Sequence, residues 1–177
     1  MPKILNPADA SAEGLNESAP DSTAPAGMVF YHASEGKPLA TPWQVALIRS
    51  QLLARAALPE GMILDCACGS GIQLAAHASV LQRPAIGVEL DPRRAQASAM
   101  NLHTIASQRN ELDAERMLTT RVVVGDGRDG AGILSALKEG LGLEELPKIA
   151  LLHLDPARPR NSRTHGLDEM EPRLDEV

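Results

Sequence analysis

Four carboxylates occupy similar places in this chain. Asp65, Glu89 and Asp155 each stand at or next to the end of a short apolar run, and Asp126 follows another run between two glycines. The first has the richest context. Met62-Ile63-Leu64-Asp65 leads into Cys66-Ala67-Cys68-Gly69-Ser70-Gly71 and then into an apolar, helix-compatible segment. That order reads as strand, tight loop, helix. Glycines let backbone approach a ligand where a Cβ would collide, and the new helix turns its free N–H groups to the same place. Such residues offer a cofactor cradle. The plain alternative is a glycine-rich turn that binds nothing.

The spacing narrows the cofactor. A dinucleotide fingerprint needs a third glycine where Leu74 stands, and no phosphate loop ending in Gly-Lys-Ser/Thr is present. The pattern D-x-A-x-G-x-G resembles motif I of the class I S-adenosylmethionine (SAM) methyltransferases, D/E-x-G-x-G-x-G, with Ala67 in the place of the first glycine. The resemblance implies SAM as cofactor, held by Asp65, Ala67, Gly69 and Gly71. An acid suits a sulfonium amino-acid ligand better than a pyrophosphate. Glu89, eighteen residues after Gly71, would accept ribose hydroxyls. Asp91 is its rival, although Asp91-Pro92 reads as a helix cap. Asp126 resembles the position that meets the adenine amino group, or it is a turn aspartate satisfying its own backbone. Gln44 and Gln73 either reach the methionine end of the ligand or belong to ordinary helix surface.

Asp155-Pro156-Ala157-Arg158 falls where this superfamily carries motif IV. Methyltransferases of base amino groups place D/N-P-P-aromatic there, and this chain lacks the aromatic that would stack a flipped base. A basic loop follows instead, with Arg158, Arg160, Arg163 and His165. The segment ALLHLDPARPRNSRTHG, its acidic continuation, and Thr41-Pro42-x-x-Val45 resemble the THUMP-like class I methyltransferases over residues 28–177. That resemblance implies an RNA substrate, catalytic roles for Asp155 and Arg158, and phosphate contacts from Arg158, Arg160 and Arg163. The alternative for the arginines is pairing with Asp168, Glu169 and Glu171 just downstream. A small-molecule or protein methyltransferase, and a non-catalytic SAM-fold binding module, are the competing functions. No cysteine lies near this motif in the sequence, so a covalent thiol route has no nucleophile there.

These groups need a scaffold to bring them together. Apolar strands are expected at 62–65, 85–90, 121–124 and 148–154. Helices are expected from Thr41 (as N-cap, with Pro42 in the first turn), over 72–81, from Pro92 to about Ser107, over 110–118 and over 131–141. On the first helix Trp43, Ala46, Leu47, Leu53 and Ala54 share a face that Val45, Ile48 and Leu52 widen. Strands alternating with helices predict a Rossmann-like, doubly wound parallel sheet with ligands at the strands' carboxyl ends. The fold family continues past motif IV with three more strands. The chain therefore reads as lacking its C-terminal strands, with a missing segment or a covering partner at the fourth strand's edge.

Residues 1–27 show no periodicity and read as a disordered leader before a domain at 28–177. They carry net charge −3 and residues 168–177 carry −4, which leaves +1 between them within a total of −6. Charge thus neither supports nor excludes RNA. No apolar run reaches membrane-spanning length and no secretory signal is visible, so no membrane partner is expected. Cys66 and Cys68 are too close for an ordinary structural bridge, and no second cysteine pair completes a zinc site. No metal and a cytoplasmic setting are the expectations.

Overall fold

A computed structural model describes residues 2–17, 28–33, 40–107 and 111–155. Its elements in chain order are β1 (Lys3–Leu5), a short 3-10 turn at Pro7–Asp9, β2 (Asn16–Glu17), β3 (Tyr31–His32), α1 (Trp43–Leu53), β4 (Met62–Asp65), α2 (Ile72–Leu81), β5 (Ala85–Glu89), α3 (Pro92–Ser107), α4 (Glu111–Thr119), β6 (Arg121–Val124), α5 (Gly130–Gly140) and β7 (Ile149–His153). The main sheet runs β1-β6-β5-β4-β7. Its four expected strands are parallel, and β1 pairs antiparallel with β6.

Side-chain alternation along each strand splits the core between two layers. Ile63 and Val122 face a large cluster under α1, α2, α3 and α4 with Trp43, Leu74, Leu102 and Met117. Leu64, Ile86, Val88 and Val123 face Ile133 and Leu137 of α5. Helices on both faces of a mainly parallel sheet make this a doubly wound, Rossmann-like fold. The chain moves outward from β4 to β5 to β6, then returns to place β7 on the other side of β4. The crevice between β4 and β7 is therefore the topological switch point.

Three expectations change. The first seventeen residues are not a loose leader where described. Ile4 packs on the α5 side of the sheet, β1 closes the β6 edge, Arg93 and Gln96 donate to the carbonyls of Gly14, Ser11 and Glu13, and Pro7 is buried. A three-residue strand is too short to show periodicity, so only its tertiary partners reveal it. Second, Thr41 does not cap α1. Pro42 is the extended cap residue, so the helix begins one residue later than Thr41 would cap it, and proline has no side-chain acceptor for the helix start. Third, Val45, Ile48 and Leu52 are exposed, at 40%, 57% and 58%, and so is Ala54. The buried stripe is Trp43, Ala46 and Ser50. A serine within it hides that stripe from a hydrophobicity count. Among the described residues β7 is the outer strand on the β4 side of the sheet, paired with β4 alone.

Gly87 shows how tightly the cofactor loop is laid on the sheet. A Cβ there would sit 2.7 Å from Cys68 Sγ and Leu74 Cδ2. Gly87→Ala is expected to cost about 1–3 kcal/mol by overpacking. Gly130→Ala, where a Cβ meets nothing within 4 Å at the start of α5, should leave stability unchanged or raise it. Urea unfolding midpoints of the two variants check this contrast.

Candidate cofactor and acceptor site

The apolar strand residues carry Asp65 into the interior, where it is 1% exposed. A buried carboxylate needs partners. Asp65 Oδ1 accepts from the Ala67 amide at 3.2 Å, which bends the chain into the loop. Asp65 Oδ2 lies 3.1 Å from His153 Nδ1 of β7, an ion-pair distance without the alignment of a good hydrogen bond. The loop then closes through the Gly71 amide on the Cys68 carbonyl at 2.8 Å. Gly69 and Gly71 both adopt the left-handed conformation, with φ of +52° and +74°. A Cβ on Gly71 would collide with the Ser98 hydroxyl of α3, whereas one on Gly69 would enter open space. The loop is thus pressed on α3 at one glycine and open at the other.

Glu89, at the end of β5, is 8% exposed. Its Oε2 accepts from the Gly69 amide at 3.2 Å and its Oε1 from the Asp91 amide at 3.0 Å. Each oxygen retains a second lone pair. Asp91 caps α3 by accepting from the Arg93 and Arg94 amides. Asp126 follows β6 and is gripped by Arg128, through the guanidinium at 2.6–3.0 Å and the amide at 3.0 Å. These hydrogen bonds hold its carboxyl below the usual carboxylate range. Asp155 follows β7 and meets Arg49 of α1 at 3.1 Å. Asp65, Ala67, Gly69, Gly71, Glu89, Asp126 and Asp155 are all brought to the carboxyl end of the sheet. Arg158, Arg160, Arg163 and the acidic tail lie outside the described residues. A hollow of about 520 Å³ bordered by Gly61, Pro84 and Lys148 lies at the opposite end, by the amino end of β4.

The structure adds three residues that sequence reading passed over, Ser50, His77 and His153, and re-places Gln73. Gln73 is buried and not helix surface. Its Nε2 donates to the Ala46 carbonyl at 3.2 Å and approaches Ser50 Oγ at 3.4 Å, while its Oε1 faces Arg49 at 3.5 Å. Ser50 gives its one proton to the Ala46 carbonyl at 2.8 Å. His77 Nδ1, 2.9 Å from Ser50 Oγ, must then be the donor, which leaves His77 Nε2 buried without a partner. Burial, then His153 and Arg49, lower the His77 pKa to about 4. His153 packs edge-on to it, with ring centroids 4.9 Å apart. Burial also works against charge on His153, but Asp65, with Asp155 beyond it, outweighs burial and holds the ring above its ordinary range. A lone histidine on a strand and another on an apolar helix carry no spacing signal. Only the meeting of α1, α2, β4 and β7 makes them a pair.

The cysteines are free and buried. Burial, and then the neighbouring Asp65, push the Cys66 thiol up to about 11, and burial holds Cys68 well above its ordinary range. Cys66 is nearer motif IV than sequence order suggests, since its amide donates to the His153 carbonyl at 3.1 Å. It stays a protonated thiol and no nucleophile. No group of three or more metal-ligating side chains is found among the described residues, nor any helix long and apolar enough to cross a membrane.

The fold, the acidic strand end and the open glycine loop fit SAM, and the whole defines a class I SAM-dependent methyltransferase. The chain matches the model of the protein-L-isoaspartate(D-aspartate) O-methyltransferase (PCMT) family over residues 32–136. It belongs to that family, an enzyme family that uses SAM. No curated protein and no solved structure matched. The likeness to THUMP-like RNA methyltransferases is not confirmed. The family match spans α1 through Asp126 and most of α5 and stops before Asp155.

The histidine pair sets opposite pH limbs on stability. His77 is depressed in the fold, so its contribution is present above about pH 6.5 and is lost as pH falls toward 4, by up to about 3 kcal/mol. His153 is raised, so its contribution is full below about pH 6.5 and is lost as pH rises through its folded value. Urea unfolding from pH 4 to 8 should lose its acid slope in His77→Asn and its neutral-range slope in His153→Asn.

Proposed function

We propose that this chain transfers a methyl group from SAM to a carboxylate oxygen of a damaged aspartyl residue in protein, not to an RNA base. The family match carries this reading, since it covers the glycine loop, Glu89 and Asp126 in one span. The carboxylate acceptor comes from the family's description. Glu89 would accept the ribose hydroxyls, the loop from Ala67 to Gly71 would lie along the methionyl part, and Asp126 would face the adenine. Asp65 acts from behind, as the buried support of the loop.

The chemistry asked of the protein is alignment. SAM supplies an electrophilic methyl on a positively charged sulfur. A carboxylate is already ionised at neutral pH, so it needs no general base. Holding the acceptor oxygen in line at the switch point supplies the rate by proximity and orientation. Asp155, at that crevice and outside the family match, is available to shape the acceptor side.

Titration with S-adenosylhomocysteine should show binding that Glu89→Ala weakens at least tenfold. Radiolabelled methyl from SAM should enter an isoaspartyl peptide, and neither the matching normal aspartyl peptide nor bulk RNA. Label in RNA without label in the peptide would overturn the acceptor. A folded chain that binds no S-adenosylhomocysteine would make it a non-catalytic module.

A further inference from the structure

We infer that Arg49 is the residue that recognises the acceptor's negative charge, and that Asp155 holds its place until the acceptor arrives. The inference rests on the carboxylate reading above and adds the residues that would enforce it. Arg49 projects from α1 to the β4–β7 crevice, where the end of β7 brings Asp155 within 3.1 Å. Both side chains are about half exposed, at 48% and 52%. An ion pair of that exposure holds weakly and exchanges partners readily. The guanidinium also faces a buried amide oxygen from below. Gln73 is 5% exposed and spends its amide nitrogen on the Ala46 carbonyl, leaving Oε1 toward Arg49 Nη1 at 3.5 Å. A buried amide that steers an exposed cation, in turn facing an exchangeable carboxylate, is an arrangement a second carboxylate can enter.

The charge balance of the reaction suits this exchange. The acceptor oxygen forms its new bond to the methyl carbon as the sulfur–methyl bond breaks, and the electron pair of that bond stays on sulfur. The acceptor enters with one negative charge and leaves as a neutral ester. Arg49 therefore favours substrate over product, and Asp155 can reclaim the guanidinium once the charge is gone. His153 adds positive charge behind Asp155 when protonated, and Asp65 balances it from inside. An amino acceptor would instead want Asp155 free and would meet Arg49 as a repelling neighbour.

Steady-state methylation of an isoaspartyl peptide tests this in Arg49→Gln, Arg49→Lys and Asp155→Asn, beside S-adenosylhomocysteine titrations of each. Arg49→Gln should raise the peptide KM about tenfold or more with kcat changed less than threefold and cofactor affinity within twofold. Arg49→Lys should recover part of the loss, since it restores charge without the fork. Asp155→Asn should lower the peptide KM, because the competing carboxylate is gone. An unchanged KM in Arg49→Gln, or a cofactor affinity that falls in step with it, overturns the inference. So does loss of turnover in Asp155→Asn, which would assign the acceptor to Asp155 itself. If the wild-type chain binds S-adenosylhomocysteine but never labels the peptide, the carboxylate reading has failed and takes this inference with it. Labelling by wild type with an indifferent Arg49 sinks this inference alone.

Discussion

A single buried carboxylate ties this molecule together. Asp65 sits at the end of the interior strand β4 with almost no contact with water, in a place where an unpaired charge would cost several kcal/mol. It is tolerated because two elements converge on it. The loop after β4 donates the Ala67 amide to one oxygen, and β7 brings His153 to the other. The second contact spans the switch point. One side chain therefore joins the glycine loop, the two strands that border the crevice, and through His153 the ring of His77 on α2. The shape of the cofactor loop follows from satisfying that charge.

The other strand-end acids follow the same logic in wetter surroundings. Glu89 holds the Gly69 amide and so couples β5 to the loop, Asp126 is held by Arg128, and Asp155 is held by Arg49. Each acid has a protein partner in the fold. The two buried acids, Asp65 and Glu89, bond to loop backbone amides and act as scaffold. The more exposed the acid, the more its partner is a long, exchangeable cation. This gradient, from Asp65 inside to Asp155 at the mouth, separates the residues that shape the site from those able to trade partners with a ligand.

Much of this was legible in the chain. The four parallel strands and the helices between them follow from apolar runs bounded by glycine, proline and acids, and their limits fall within a residue or two of expectation. The glycine loop was legible because its chemistry is local: left-handed glycines and a strand-end acid sit within seven residues. The THUMP-like likeness drew mainly on the segment from Ala150 onward, with Thr41-Pro42-x-x-Val45 in support, whereas the family match covers residues 32–136 and stops before the former. Motif IV and the arginines beyond it thus steered the substrate reading away from the part of the chain that carries the family.

Local pattern by itself determined the sheet, the helices and the cofactor loop, because hydrophobic period and turn chemistry act over a few residues. Tertiary structure alone decided that Ser50, Gln73, His77 and His153 form one polar cluster, that β1 closes the sheet, and that Arg49 meets Asp155 across 106 residues of chain. Such groups carry no spacing of their own. Their partners come from other elements, and their burial becomes affordable only once those partners are packed around them.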